Sequence, residues 1–256
     1  MLQQRRTSRK SVCASGVLLC GAMMAAGCAI PGEWKVIADG NSLQGWRGLD
    51  SPDSGAWMTA EAVALDPAAE GKKFKIAPGK AILVNGAGGR TCDLITAEQY
   101  GDCEVHIEFT VAKGSNSGVY LQGKYEIQIF DSFGRKDWTY SDCGAIYSRW
   151  INNQNTEGHK PKVNVSKAPG EWQTFDIVFK APRFDARGKK IANARFVKVL
   201  QNGVLIHENV ELNGVTRGAI GGNTAKEVTV GVLRLQGDHG PVAFRNIKIR
   251  TLKWLM

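Results

Sequence analysis

The sequence predicts an all-β fold, a sandwich or jelly roll of antiparallel sheets. Three observations lead there. Period-two alternation of apolar and polar residues runs through most of the chain, and Asn202-Gly203 joins two such runs directly. No stretch of ten or more residues carries a helical period with caps. Thirty glycines punctuate the alternating runs, and strands in that number bury their apolar faces only by stacking or by closing on themselves.

The elements follow in order. "CEVHIEFTV" (103–111) sets Val105, Ile107 and Phe109 against Glu104, His106 and Glu108 on opposite faces. After the turn "KGSNSG", strand character resumes in "SGVYLQG" (117–123). "QTFDIVFKA" (173–181) comes next, then "ARFVKVLQNGVLIHENV" (194–210), whose Asn-Gly supplies positive φ at both positions of a tight primed turn. "GVLRLQG" (231–237) and "VAFRNIKIRTL" (242–252) close the chain, and "DLITAEQYG" has room for one or two helical turns at most. No internal repeat or linker appears, so residues 34–256 read as one domain.

The first 27 residues read as an export signal. A cationic start, "MLQQRRTSRK", precedes the apolar "SVCASGVLLCGAMMAA", which is too short to span a bilayer. The junction "MAAGC" resembles the bacterial lipobox. That resemblance implies a diacylated Cys28 as the mature N-terminus, residues 28–33 as a short tether, and a membrane lipoprotein in the periplasm or on the cell surface. Loss of Arg5, Arg6, Arg9 and Lys10 with the signal takes the net charge from +9 to +5. The remaining basic residues, among them Lys72, Lys73, Lys75, Lys189 and Lys190, are not interleaved with aromatics, which excludes a nucleic-acid groove. Cys92, Cys103 and Cys143 form no CxxC element and so no zinc site. Cys92 and Cys103 border neighbouring strand segments, from which a disulfide across a ladder is an expectation.

"YEIQIFD" (125–131) carries Glu126, Gln128 and Asp131 in a segment that otherwise reads as a buried strand. Glu126 and Gln128 share a face, and a one-residue bulge after Ile129 would return Asp131 to that face. Asn116, Ser117, Tyr120 and Gln122 lie within reach of the same surface, and an amide-rich concave face suits the mixed donors and acceptors of sugar hydroxyls. Trp46, Trp57, Trp138, Trp150 and Trp172 sit in turns or at strand ends, where an indole either packs an edge or stacks a sugar ring. Trp138 and Trp150 flank the irregular stretch 131–170, a loop long enough to cover a site.

The spacing E-x-Q-x-x-D resembles the E-x-D-x-x-E strand of laminarinase-like glycoside hydrolases, which share a concanavalin A-like jelly roll. Here Gln128 replaces the middle acid and Asp131 is one methylene shorter than Glu, a departure that weakens a two-carboxylate displacement. A broader resemblance covers nearly all of the chain after the signal. "VIADGNSLQGWRG", "YGDCEVHIEFTVAKGSNSGVYLQGKYEIQIFD", "GEWQTFDIVFKAPRF", "LQNGVLIHENVEL" and "GVLRLQGDHGPVAFRNIKIR" are similar to the 3-keto-disaccharide hydrolase domain family. That resemblance implies an exported enzyme with a glycoside or oligosaccharide substrate, cleaving a 3-keto-glucoside by hydrolysis through β-elimination and water addition. It makes Glu126 and His239 the candidate base and acid, with Asp131 as a second acid or a metal ligand. Gln128, Asn116, Gln236 and Arg149 become hydrogen-bonding contacts, and Trp138 and Trp150 stacking surfaces. His239 in "GDHG" reads equally as a turn histidine, and Arg245 in "FRNI" as a structural partner within the last strand. No ligand spacing requires a cofactor; a divalent cation on oxygen ligands and His239 is compatible with the residues. The other readings are a lectin-like glycan-binding module and a retaining glucanase.

Overall fold

A computed structural model describes residues 29–51 and 53–255. The export signal and the lipidation site at Cys28 lie outside these residues. The first strands are β1 (Ala29–Pro31), β2 (Lys35–Ala38), β3 (Trp46–Gly48), β4 (Met58–Leu65), β5 (Phe74–Val84) and β6 (Leu94–Tyr100). Next come β7 (Cys103–Val111), β8 (Asn116–Leu121), β9 (Tyr125–Phe130), β10 (Arg149–Ile151), β11 (Gln154–Thr156) and β12 (Gln173–Lys180). The chain ends with β13 (Arg183–Phe184), β14 (Lys190–Ala192), β15 (Ala194–Gln201), β16 (Val204–Leu212), β17 (Gly231–Leu235) and β18 (Val242–Trp254).

Two antiparallel sheets carry the fold, as a jelly roll requires. The larger runs β16-β15-β12-β7-β18-β5-β4, with β1 and β2 also pairing along β18. The smaller runs β3-β6-β17-β8-β9. β18 is long enough to serve three partners on one side: β5 at Ala243–Phe244, β2 at Ile247–Ile249 and β1 at Leu252–Trp254. A register shift between Arg245 and Lys248, with Asn246 at φ 49°, lets the strand bend between them. Arg245 and Asn246 both bind the Glu108 carboxylate of β7, at 2.7 Å each, so the "FRN" residues secure that bend to the neighbouring strand.

The alternation read from the sequence is the packing observed. Val105, Ile107 and Phe109 of β7 and Phe175, Ile177 and Phe179 of β12 are fully buried between the sheets. They meet Val119, Leu121, Tyr125, Ile127, Ile129, Leu233 and Leu235 of the smaller sheet in one core. At about 1.5–3 kcal/mol per fully buried large apolar side chain, this layer dominates the stability of the fold. Asn202 and Gly203 have φ of 52° and 79°, and Gln201 pairs with Val204, giving the two-residue hairpin.

Three expectations are corrected. Residues 94–100 are strand β6, not helical turns, because pairing with β3 on one side and β17 on the other outweighs a weak local preference. Cys92 and Cys103 do not pair. Cys103 opens β7 inside the larger sheet, Cys92 precedes β6 of the smaller one, and the three cysteines among the described residues are free. β9 has no bulge: its pairing with β8 runs without a shift from Leu121↔Tyr125 to Asn116↔Phe130.

Candidate active site

The face of the smaller sheet turned away from the core carries two short rows of side chains. Arg234 of β17 pairs with Tyr120 of β8, which pairs with Glu126 of β9. In the adjacent row Gly118 pairs with Gln128, and Gln236 donates its backbone N–H to Gly118 O at 3.0 Å. Gly118 is at the centre of this patch for a steric reason. A Cβ there would lie 2.2 Å from Glu126 Oε1, so the missing side chain makes room for the carboxylate.

A second segment closes over β9. Gln128 N–H donates to Ala145 O, Gly144 N–H to Gln128 O and Tyr147 N–H to Glu126 O, so residues 144–147 run beside β9 as an extra rung. Thr216 Oγ1 accepts from Glu126 N–H on the same flank. The segment is held from below by the buried His207, whose Nε2 is 2.8 Å from Gly144 O. Both edges of β9 are thus paired, by β8 and by residues 144–147, and Glu126 and Gln128 are each only 3% exposed.

These elements enclose a cavity of about 260 Å³ lined by Asn116, Tyr120, Glu126, Gln128, Tyr147, Arg217, Gly218, Gln236 and His239. This is slightly below the ~300 Å³ lower end of small-molecule pockets, a size for one sugar ring. Burial pushes the Glu126 carboxyl up to about 8, while the Tyr120 hydroxyl and the Arg234 guanidinium pull it down and Asp93 adds to the rise. Burial, and next the Glu126 charge, also raise the Tyr120 and Tyr147 hydroxyls. Arg234 lies 4.1 Å from the Tyr120 ring centre, with its Nε 2.5 Å from Asp93 Oδ2 and its Nη1 donating to Gly218 O at 2.6 Å. A buried ion pair therefore supports the tyrosine that supports the glutamate. Arg217 reaches the cavity from a loop and lies with its guanidinium 4.2 Å from the centre of the Trp150 ring.

The residues singled out from the sequence divide into two sets. Glu126, Gln128, Asn116, Gln236 and His239 line the one cavity. Asn116 N–H donates to His239 O, and the exposed His239 ring is hydrogen-bonded through Nδ1 to Asp238. The other four do not line it. Asp131 accepts from Gly114 N–H at 2.8 Å and caps the turn before β8, because without a bulge it leaves the face of Glu126. Arg149 packs against Gly214 and pairs with Glu157 at 2.9 Å. Trp138 donates its indole N–H to Pro161 O and lies under Lys160, and the Trp150 ring is taken by Arg217. Tyr147 and Arg217 were not foreseen as site residues: both come from irregular segments without strand periodicity, although Tyr147 ends the "CGAIY" stretch (143–147) that also carries the family resemblance. No group of three or more His, Cys, Asp and Glu among the described residues could hold a metal ion.

Among curated proteins none matches this chain. A candidate glycosyl hydrolase of Parabacteroides distasonis is similar in structure, with a TM-score of 0.61 and 26% identity over 89% of this chain and 92% of its own. A second from the same organism reaches a TM-score of 0.54 at 21% identity over 86% of this chain and 100% of its own, a likeness of fold. The family described as the 3-keto-alpha-glucoside-1,2-lyase-like domain matches residues 33–250, and the chain belongs to it.

Proposed function

We propose that this protein breaks the glycosidic bond of 3-keto-glucosides by elimination, with Glu126 as the base. One observation carries the reading: a buried carboxyl, raised to about 8, faces a cavity for one sugar ring. A ketone at C3 acidifies the C2–H bond, and a base of that strength is suited to it. Glu126 takes the C2 proton, and the electron pair enters the enolate of C2, C3 and the ketone oxygen. When the pair returns, C1=C2 forms and the C1–O bond breaks. His239, its Nδ1 engaged by Asp238, protonates the departing oxygen. Water added across C1=C2 would complete a net hydrolysis.

The enolate oxygen needs a donor or a cation in place before the proton moves. Arg217 supplies the cation, and the Tyr147 hydroxyl is a second donor in the same cavity. A two-carboxylate displacement has less support, since Glu126 is the one carboxylate among the described residues lining the cavity and Asp131 is occupied at the Gly114 turn. Export through residues 1–27 and anchoring through a lipid on Cys28 belong to the same proposal and would place the enzyme at a membrane surface facing extracellular glycosides. The test is turnover of a chromogenic aryl 3-keto-glucoside by the wild type and by Glu126→Gln. Turnover lost in the variant supports the reading; a wild type that binds the compound without cleaving it makes the domain a glycan-binding module instead.

A further inference from the structure

One edge of the larger sheet gathers apolar side chains that the core does not use. Ile30, Trp34, Val36 and Leu255 are between 41% and 56% exposed, four of the ten exposed large apolar residues among those described. They fall where β1 and β2 follow one another along β18, and among the described strands neither pairs with anything else. Cations accompany them. The Arg250 guanidinium lies 4.5 Å from the centre of the Trp34 ring, and Lys180 Nζ 4.9 Å from that of Trp254. Val36 stands beside Lys248 and Ile30 beside Lys253, as cross-strand partners on one side of the sheet. Glu98 and Glu104 neutralise Lys35 and Arg250, and the exposed Glu33 is a third acid at this edge. Lys180, Lys248 and Lys253 have no carboxylate partner among the described residues.

We propose that this edge docks on the anionic phospholipid surface of the bilayer that carries the anchor, with the cavity opening away from it. The proposal rests on the lipid assigned above to Cys28 and not on the elimination chemistry. Cys28 directly precedes Ala29, which is already paired with Trp254, and consecutive Cα atoms are only ~3.8 Å apart. An acyl anchor on Cys28 therefore holds this edge, rather than a long tether, at the membrane. Trp34 then meets the headgroup layer, where indoles settle, and the three lysines meet its negative charge. Alone, so small a patch would bind weakly; joined to a two-chain anchor, it fixes the orientation of the domain. Phe179 and Ile249 are buried between the sheets, so their neighbours Lys180, Lys248 and Arg250 stand on the outer face of the larger sheet. The cavity is on the outer face of the smaller sheet, the opposite side of the sandwich, and glycosides enter it from solvent.

The test uses the lipidated protein in vesicles of phosphatidylethanolamine and phosphatidylglycerol, labelled with an environment-sensitive fluorophore at one added cysteine. Val36→Cys and Leu255→Cys report the edge. Thr224→Cys is the control, next to the Asn223 that accepts from Gly218 N–H in the cavity wall. Wild type treated with the dye gives the background from Cys92. Labels at 36 and 255 should emit at shorter wavelength than the label at 224 and be quenched by nitroxide-headgroup lipids, which leave the control bright. Trp34→Ala, Lys248→Ala and Lys253→Ala combined should lose that shift while turnover of a soluble glycoside is unchanged. Edge labels as water-exposed as the control, on a chain shown by mass spectrometry to carry its lipid, overturn the docking and leave the anchor standing. A mature chain without lipid removes the anchor and this orientation with it. A blue shift that persists in detergent micelles, with twice the monomer mass by light scattering, makes the edge a contact between two copies and also overturns the proposal.

Discussion

Replacing Glu126 by glutamine should disable the protein and make it more stable at alkaline pH. The carboxyl has an ordinary value of 4.5 and is pushed to about 8 in the fold. At about 1.36 kcal/mol per pH unit, that rise corresponds to on the order of 5 kcal/mol. Below pH 4.5 the group is protonated in both folded and unfolded chains. Between 4.5 and 8 the unfolded chain ionises while the folded chain keeps its proton, so the wild type loses stability as pH rises. Above about 8 both are ionised and the loss is complete. Glutamine fills nearly the same volume and cannot ionise, so the variant escapes this loss. Urea unfolding of both proteins from pH 4 to 9 gives a difference curve in which all other titrations cancel. It should be flat below 4.5, move in favour of the variant up to about 8, and level off there. Parallel curves through that window would refute the claim that burial holds this carboxyl in its neutral form. In the wild type kcat/KM should climb with pH, reach half its maximum near 8 and level off above it, since the base acts only when ionised.

Gly118→Ala places a methyl group where Glu126 Oε1 now lies, and the flexible carboxylate is the partner that yields. Circular dichroism should show an intact fold while activity falls about a hundredfold, the cost of a displaced base. Trp150→Ala frees Arg217 from the ring that orients it. A cation–π contact of about 1 kcal/mol translates to a roughly fivefold lower kcat/KM, with the melting temperature nearly unchanged. Burial lowers His207 to about 4 from its ordinary 6.5. Its contribution to stability is present above 6.5 and lost as pH falls towards 4, on the order of 3 kcal/mol, a decline that denaturation of His207→Gln should not show.

Much of the fold is legible in the sequence because one strand period decides it. β7 and β12 bury every second residue, and Asn202-Gly203 fixes a hairpin through backbone chirality alone. The site is legible where it follows the same period. Glu126 and Gln128 sit two apart on β9, Asn116 begins the strand beside it, and Gln236 follows the next strand over, so sheet pairing brings them together. Arg217 and Tyr147 escape notice because the loops that deliver them are positioned by tertiary hydrogen bonds, Arg217 N–H to Ser148 O and Tyr147 N–H to Glu126 O. Asp131 illustrates the opposite error, since its role depends on whether the strand bulges, and the turn at Gly114 takes the carboxylate instead. For Trp138 and Trp150 the pattern cannot reveal that Lys160 and Arg217 already occupy the rings.

Removal of the C2 proton by Glu126 is the step from which the proposed activity follows, and the fate of that proton tests it most directly. A 3-keto-glucoside carrying deuterium at C2 should, when cleaved by the wild type in ordinary water, give a product without the label, and Glu126→Gln should leave the label in place. A cleaved product that retains its deuterium, with no primary isotope effect on cleavage, would mean the bond breaks without touching C2, and this assignment of Glu126 would be wrong.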